Sequence, residues 1–221
     1  MRLRNKQWTH DFLKKHAQYL IDWNENKKIN AQNFFGNNNP IYLEIGAGKG
    51  QFIIANAIQN PHINYIAMEK ETTVVGVALK RAIQTLGEEK MTNLKFLNKF
   101  AENLLLMFEQ NSVDHLFLNF SDPWPKAKHF KKRLTYTGFL DIYAQILKPN
   151  GILQFKTDND GLFAFSLEQI TQRPNWKLIV QTDDLYDDEQ LLVNNIPTEY
   201  ETKFHQMNKN INMLSIQNLK K

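Results

Sequence analysis

The sequence predicts an α/β fold in which a mostly parallel sheet is covered by helices on both faces. Strand-like and helix-like segments alternate from residue 41 to residue 171, as in chains built from repeated β-α units. Residues 65–68 and 116–118 are almost continuously apolar, which is typical of strands buried on both faces. With 221 residues and 42% hydrophobic content, the chain fits a basic arm at residues 1–33 and one domain at 34–221.

The predicted elements follow one another with short connections. We predict strands at residues 41–45, 63–68, 94–98, 114–120 and 151–157, and helices at about 51–60, 72–86, 101–110, 134–147 and 160–171. Residues 34–40 are turn-forming and separate the arm from the domain. Residues 176–182 and 211–217 are strand-like, with a long polar connection and no crossover helix between them. They therefore predict an antiparallel pair that closes the edge of the sheet.

Charge and composition limit the function classes. The net charge is +4, and cations concentrate in two places, whereas acids collect near residues 183–189. The cations are Arg2, Arg4, Lys6, Lys14 and Lys15 in the arm, and Lys126, Lys128, Lys131, Lys132 and Arg133 in the basic segment, residues 126–133. This pattern favours a polyanion bound on one face, although a solvated surface would also account for it.

The chain has no cysteine, which excludes disulfides and thiolate chemistry and fits a cytoplasmic protein. No segment approaches the roughly 18 to 20 apolar residues of a membrane span, so we expect no membrane contact.

A glycine-rich loop follows the first predicted strand. The glycine loop, residues 46–50, contains Gly46, Gly48 and Gly50. Glu44 precedes it and Glu69 ends the next strand. The spacing fits neither the dinucleotide fingerprint nor a phosphate-binding P-loop. Carboxylates suit a ligand with an ammonium and ribose hydroxyls but no phosphate, such as S-adenosylmethionine. A tight turn with two incidental acids is the alternative.

These residues resemble the class I methyltransferases, in which a Glu-x-Gly-x-Gly-x-Gly loop is followed by an acid at the next strand end. The resemblance implies a Rossmann-like, seven-stranded, mostly parallel sheet with an antiparallel last strand. It also implies an adenine contact after the third strand, where Phe100 stands in place of the usual carboxylate. Asn98 or Glu102 could take that role, or the Phe100 ring could lie against adenine while backbone N–H groups bind it. We include Ala101 in this predicted cofactor site.

A second motif follows the fourth predicted strand. The Asp122 loop, residues 120–126, reads Phe-Ser-Asp-Pro-Trp-Pro-Lys. Its two prolines restrict the backbone, so Asp122 and Trp124 are held in fixed directions. Asp122 could accept hydrogen bonds from guanine and Trp124 could stack on a base, whereas a turn-forming Asp and a core Trp are the structural alternative. The adjoining basic segment would orient a nucleic acid over this loop.

The Asp122 loop and basic segment, with Phe-Lys-Thr-Asp at 155–158 and Thr-Glu-Tyr-Glu-Thr-Lys-Phe at 198–204, resemble the bacterial tRNA (guanine-N7-)-methyltransferase family. The resemblance implies methyl transfer from S-adenosylmethionine to the variable-loop guanine at tRNA position 46, leaving S-adenosylhomocysteine. It implies a monomer or homodimer, and we expect no metal. Implied cofactor and catalytic residues are Glu44, Gly46, Gly48, Gly50, Glu69 and Asp122. Implied substrate contacts are Lys126, Asp158, Thr202, Lys203, Phe204 and His205, the last standing where the family usually has an acid.

Guanine N7 carries a free lone pair, so the predicted chemistry needs no general base and depends on alignment. Carboxylates such as Asp122 and Asp158 would stabilise the positive charge that develops on the base. One alternative is methylation of an exocyclic base amine, although Pro125 here follows Trp124 and no Asp-Pro-Pro occurs. Another is a non-catalytic tRNA-binding protein of the same fold, which Phe100 motivates.

Overall fold

The computed structural model describes residues 6–25 and 27–220. The described residues form seven strands of one mostly parallel sheet whose last strand is antiparallel. This confirms the predicted fold class. The chain divides into two compact units, one ending at Glu109 and one beginning at Gln110. None of the helices in the described ranges is long and apolar enough to cross a membrane.

The first unit contains three parallel strands in the order β3-β2-β1. Its elements are α1 (Trp8–Lys15), α2 (Ala31–Phe35), β1 (Ile41–Ile45), α3 (Gln51–Gln59), β2 (Asn64–Met68), α4 (Thr72–Leu86), β3 (Leu94–Leu97) and α5 (Leu104–Met107), with 3₁₀ turns at Ala17–Tyr19, Glu88–Lys90 and Ala101–Asn103. In register, Leu43 of β1 lies beside Ile66 of β2, and Ala67 lies beside Phe96 of β3. All of β2 is buried, as its apolar run predicts.

Helix α4 has its apolar side chains on one face, which packs toward the strands. Val75, Leu79 and Ala82 recur at helical spacing and are all buried. Helix α1 packs against α4 at Gly76. Thr9 of α1 is fully buried there, and its Cβ lies 2.6 Å from where a Cβ on Gly76 would stand. The missing side chain at Gly76 therefore allows the two helices to approach closely.

The described part of the predicted basic arm contains α1, a 3₁₀ turn and the start of α2, with non-helical chain between them. Lys6, Lys14 and Lys15 are exposed, whereas Arg2 and Arg4 lie outside the described residues. Further along, the Ile21 N–H donates to the Phe96 carbonyl at 2.8 Å, so the chain after α1 runs beside β3.

The helix predicted at 101–110 is wrong in its extent, because only a 3₁₀ turn and the single turn of α5 form. Backbone carbonyls that would accept the next N–H groups of a longer helix accept hydrogen bonds from the N-terminal segment instead. The Ile29 N–H donates to the Met107 carbonyl at 2.7 Å, and the Lys28 ammonium donates to two more carbonyls of this stretch. Phe108 is extended and forms a bridge with Ile29. These long-range contacts override the local helical preference.

The second unit contains four strands in the order β4-β5-β7-β6. Its elements are β4 (Val113–Asn119), α6 (Thr137–Ile146), β5 (Leu147–Thr157), α7 (Asp160–Thr171), β6 (Trp176–Thr182), α8 (Glu189–Leu192), α9 (Glu199–Gln206) and β7 (Asn212–Asn218), with 3₁₀ turns at Ala127–Lys132 and Leu185–Asp187. Strand β5 is parallel to β4, and β7 is antiparallel to both β5 and β6. The predicted antiparallel pair at the sheet edge is therefore confirmed.

Strands β6 and β7 are antiparallel, so no helix crosses over between them, as predicted. The prediction of a polar connection nevertheless missed two short helices. The connection contains α8 and α9. Helix α9 begins with a capping box: the Thr198 hydroxyl accepts from the Glu201 N–H, and the Glu201 carboxylate accepts from the Thr198 N–H. Thr-x-x-Glu is a helix-start signal that is readable in the sequence.

Two boundaries in the second unit differ from the prediction. The helix predicted at 134–147 begins only at Thr137, because the preceding Tyr136 is extended. Strand β5 begins early, at Leu147, where it pairs with Val113 before a shift in register. Local propensity does not report such pairing, which depends on the neighbouring strand.

We predict that Gly76→Ala destabilises the protein, although Gly→Ala inside a helix normally stabilises it by about 1 kcal/mol. The new Cβ would lie 2.6 Å from the Thr9 Cβ, and such overpacking typically costs about 1–3 kcal/mol. Thermal denaturation should show a lower Tm. The added substitution Thr9→Gly should cost less in this background than in the wild type.

Gly138→Ala in α6 is the matched control, because its Cβ would meet only ordinary contacts at 3.5 Å to Tyr136. A Gly76→Ala protein as stable as the Gly138→Ala protein would show that α1 does not pack against α4 in this way.

Candidate active site

The glycine loop turns from β1 into α3 with all three glycines in the left-handed region. Their φ angles are 77° at Gly46, 54° at Gly48 and 78° at Gly50. A Cβ at Gly50 would lie 3.2 Å from the Ala78 Cβ, whereas a Cβ at Gly46 would meet nothing within 4 Å. Gly50 therefore allows close packing on α4, and Gly46 leaves open space beside the backbone where a ligand can approach.

Glu69 fastens this loop to the end of β2. Its Oε2 accepts from the Gly48 N–H at 3.2 Å. Its Oε1 accepts from the N–H groups of Lys70 at 2.8 Å and Glu71 at 3.2 Å. A carboxylate has about four acceptor positions, so Oε2 keeps capacity for a hydroxyl donor. The predicted site residues Glu69 and Gly48 are thus in direct contact.

Glu44 lies at the carboxyl end of β1, beside Ala67 of β2 in register. Only 2% of its surface is exposed. A carboxylate buried in an apolar sheet is retained as a charge only when it is hydrogen-bonded or paired. Its chemistry fits a cationic or hydrogen-bond-donating ligand at the adjacent glycine loop.

Of the predicted adenine-contacting residues after β3, Asn98 is hydrogen-bonded within the protein and Phe100 is exposed. Asn98 accepts from the Thr72 hydroxyl at 2.8 Å and donates to the carbonyls of Glu69 and Lys70. Phe100 is 56% exposed, and Ala101 after it is buried. Asn98 is therefore engaged in joining β3 to the start of α4, whereas the Phe100 ring is available at the surface.

The Asp122 loop in the second unit is held in an unusual conformation. Phe120 and Trp124 have φ angles of 51° and 43°, a region that non-glycine residues rarely adopt. The Phe120 N–H donates to the Lys156 carbonyl at 2.9 Å. Asp122 is exposed between the two strained residues. Strain of this kind persists where surrounding contacts fix the chain, and it is common at functional sites.

Trp124 is half-buried and contacts the basic segment. Its ring meets His129 edge-on at 5.6 Å between centroids, and the Lys132 ammonium lies 4.8 Å from the ring centre. The basic segment forms its own 3₁₀ turn ahead of α6. Lys126, Lys128, Lys131 and Lys132 are all exposed there.

A buried ion pair that sequence reasoning missed joins β5 to α9. The Lys156 ammonium lies 3.0 Å from Glu201 Oε2, and the two side chains are 1% and 0% exposed. Asn195 accepts from Lys156 and donates to Glu201 Oε1, and the Tyr186 hydroxyl donates to the same oxygen at 3.4 Å. Removing one partner of such a pair costs about 3–5 kcal/mol. The pair therefore fixes α9 against the sheet.

The predicted substrate residues on helix α9 differ in exposure. Thr202, Lys203 and His205 are exposed, and the Thr202 hydroxyl donates to the Thr198 carbonyl. Phe204 is half-buried and lies 6.1 Å from the Phe120 ring. The Asp122 loop and α9 are thus brought together through Phe120, and Phe204 acts in packing.

The ring of Tyr186 supports the end of this helix. It stacks on His205 with 3.6 Å between ring centroids. Burial, together with the neighbouring Glu201 carboxylate, raises the pKa of Tyr186 to about 12. The hydroxyl therefore stays protonated at neutral pH and remains a donor to Glu201.

Asp158 follows the buried Thr157 at the end of β5 and is half-buried. The Thr157 hydroxyl accepts from the Asn159 N–H at 3.1 Å, and the Asn159 side chain caps α7. These contacts fix the backbone on both sides of Asp158. Within residues 6–25 and 27–220, no group of three or more His, Asp or Glu residues could hold a metal ion.

Comparison with known proteins places the chain among methyltransferases. A family model described as "Putative methyltransferase" matches residues 38–214. The chain is 58% identical to the tRNA (guanine-N(7)-)-methyltransferase of Mesoplasma florum, covering 98% of both chains. It is 56% identical to that of Mycoplasma capricolum, covering 100% of both, and 46% identical to that of Lachnoclostridium phytofermentans, covering 97% of both.

Solved structures share the fold at low sequence identity. The 16S rRNA methyltransferase KamB matches with a TM-score of 0.61 and 15% identity, over 87% of this chain and 94% of that one. The [4+2]-cyclase SpnF matches with a TM-score of 0.57 and 12% identity, over 95% and 93% of the two chains. Because these proteins have different activities, the likeness shows the fold alone.

We predict that Lys156→Met lowers the stability of the protein by about 3–5 kcal/mol, because it leaves the Glu201 carboxylate buried without its cation. Hydrogen exchange should accelerate across residues 189–206. The double variant Lys156→Met/Glu201→Gln should lose less than the sum of the single substitutions, which denaturant unfolding would measure.

Lys148→Met is the matched control, since Lys148 pairs with Asp114 at 2.8 Å in a partly exposed setting. Exposed pairs contribute about 0–1 kcal/mol. Equal losses of stability in the two lysine variants would show that the Lys156–Glu201 pair does not fasten α9.

Proposed function

Because the chain belongs to the tRNA (guanine-N7-)-methyltransferase family, we propose that it transfers a methyl group from S-adenosylmethionine to N7 of the variable-loop guanine, position 46, of tRNA. The observation that carries the proposal is the exposed Asp122 in a strained, proline-restricted loop, next to a basic segment and packed on α9. The nearly full-length identity to relatives with this name supports it.

The first unit supplies the residues that suit the cofactor. S-adenosylmethionine supplies an electrophilic methyl group on a sulfonium sulfur and leaves as S-adenosylhomocysteine. Gly46 and Gly48 offer an accessible backbone, and the buried Glu44 suits the donors at the amino-acid end of the molecule. Glu69 Oε2 suits a ribose hydroxyl. The exposed Phe100 ring suits the face of adenine, with the Ala101 backbone beside it.

The second unit supplies the residues that suit the guanine. N7 attacks with its own lone pair, so no side chain needs to remove a proton. The base becomes cationic as the new bond forms, and the Asp122 and Asp158 carboxylates would stabilise that charge. Both can accept hydrogen bonds from the guanine N–H groups, which adenine does not present in the same pattern.

Exposed cations suit the tRNA backbone. Lys126 and its neighbours in the basic segment would contact phosphates, as would Lys203 at the surface of α9. Thr202 and His205 lie on the same short helix, where Tyr186 supports the His205 ring. The protein would act as a monomer or a homodimer.

One assay tests the proposed reaction. The protein is incubated with labelled S-adenosylmethionine and unmodified tRNA, and the product is treated with borohydride and aniline, which cleave the chain at 7-methylguanosine. We expect cleavage at the variable-loop guanine. Label incorporated without cleavage would indicate methylation of an exocyclic amine. No incorporation, with tRNA still bound, would indicate a non-catalytic binding protein.

We predict that Asp122→Ala lowers the single-turnover rate of methyl transfer by about 10²–10³-fold, the range for losing one transition-state electrostatic contact. Affinity for tRNA should fall little, because a single carboxylate contributes nothing to phosphate binding. Asp187→Ala, an exposed acid in the β6–β7 connection, is the control. A near-normal rate in Asp122→Ala would remove Asp122 from the chemistry.

We predict that Lys14→Gln/Lys15→Gln weakens tRNA binding and reduces the slope of log affinity against log salt by up to about two. Both lysines are exposed at the end of α1, so the fold should be kept. Binding is measured by filter retention at several salt concentrations. The control Lys90→Gln/Lys177→Gln removes two exposed lysines outside the arm. If both double variants show the same slope of log affinity against log salt, the arm does not contact the tRNA phosphates.

A further inference from the structure

Arg133, the last cation of the basic segment, differs from its neighbours because its guanidinium is already engaged within the protein. Its Nε donates to the Pro123 carbonyl at 3.0 Å, and Nη2 donates to the Trp124 carbonyl at 3.3 Å. The guanidinium also lies 4.4 Å from the centre of the Phe165 ring on α7. The residue is half-buried. These contacts join the Asp122 loop to a rigid helix.

The two carbonyls belong to the strained part of the Asp122 loop. Trp124 has a φ of 43° and Phe120 a φ of 51°, and Asp122 lies between them. Left-handed backbone at a bulky residue persists only when surrounding contacts over-determine it. On one side, the Phe120 N–H is fixed to Lys156 of β5. On the other side, the Arg133 fork holds the carbonyls of Pro123 and Trp124.

We propose that Arg133 is a positioning residue for methyl transfer, which holds the Asp122 loop in its strained form rather than binding tRNA phosphate. The inference rests on the proposed function, because the rate of methyl transfer is the quantity that the substitutions should change. A planar guanidinium offers the two carbonyls N–H donors in a fixed fork and stacks flat on an aromatic ring, whereas an ammonium is a compact point charge on a flexible stem without that fixed geometry. The four lysines of the basic segment are exposed, where they can contact a polyanion.

The substitution Arg133→Lys tests this, because it keeps the charge and removes the fork. At saturating S-adenosylmethionine and tRNA, we expect kcat to fall by about 10- to 100-fold, as for a small misplacement of a reacting group. The KM for tRNA and the salt dependence of binding should stay within about twofold of the wild type. Hydrogen exchange should accelerate at residues 119–126.

A phosphate-binding role gives the opposite pattern. Arg133→Lys would then keep kcat, and Arg133→Gln would weaken tRNA binding and reduce the salt slope by about one. That result would overturn the proposal. Lys128→Gln provides the comparison for an exposed cation of the basic segment, since it should change tRNA affinity more than kcat.

Two further variants separate positioning from general destabilisation. Arg173→Lys is the matched control, because Arg173 bonds Asp141 and Thr137 away from the loop, and we expect its kcat to stay near the wild type. Phe165→Leu removes the ring beneath the guanidinium and should lower kcat in the same direction as Arg133→Lys. An unchanged kcat in Phe165→Leu, with Arg133→Lys unfolded, would overturn the proposal.

The experiments distinguish a failure of the proposed function from a failure of the proposed role of Arg133. A wild-type protein that transfers no methyl group to tRNA would refute the function. In that case faster exchange at residues 119–126 in Arg133→Lys, but not in Arg173→Lys, would still support Arg133 as the brace of the loop. Unchanged exchange in both variants would overturn it.

Discussion

The Lys156–Glu201 ion pair is the constraint on which the strained loop and the last helix of the second unit depend. Both charges are buried, so neither can be lost without leaving the other buried without its counter-charge. Lys156 lies on β5, and its carbonyl also accepts the N–H that begins the Asp122 loop. Glu201 lies on α9 and completes the cap of that helix. One residue therefore fixes both the strained loop and the helix that packs on it.

In the first unit, a carboxylate has the comparable role of joining elements. Glu69 accepts three backbone N–H groups, one from the glycine loop and two from Lys70 and Glu71, which precede α4. Asn98 extends this arrangement from β3 to the same turn. The ends of three parallel strands are thus connected by side-chain hydrogen bonds, which gives the glycine loop a defined shape without any ligand. Such preorganisation reduces the ordering cost of binding.

Much of the fold and part of the candidate site could be predicted from local patterns. Predicted and observed bounds coincide at 41–45, 72–86, 160–171 and 176–182, and the apolar residues of 72–86 recur at helical spacing. The glycine loop was predictable because left-handed turns next to a ligand require glycine. The early end of the helix predicted at 101–110 could not be predicted, because it depends on hydrogen bonds from the N-terminal segment to the carbonyls of this stretch. The two helices between β6 and β7 were missed, although the Thr198–Glu201 spacing marks one of them.

The sequence by itself determined the sheet, the glycine loop and the chemical character of the Asp122 loop and basic segment, because these depend on residue type and short spacing. Only the tertiary structure decided which polar residues are structural. Lys156, Glu201 and Arg133 carry charges that look like surface or ligand-binding groups in the sequence. Their partners are distant in sequence or are backbone carbonyls, so their roles depend on how the chain returns upon itself and excludes water. Lys156 and Glu201 are buried and Arg133 is half-buried and hydrogen-bonded to the loop, which distinguishes them from the exposed lysines of the basic segment.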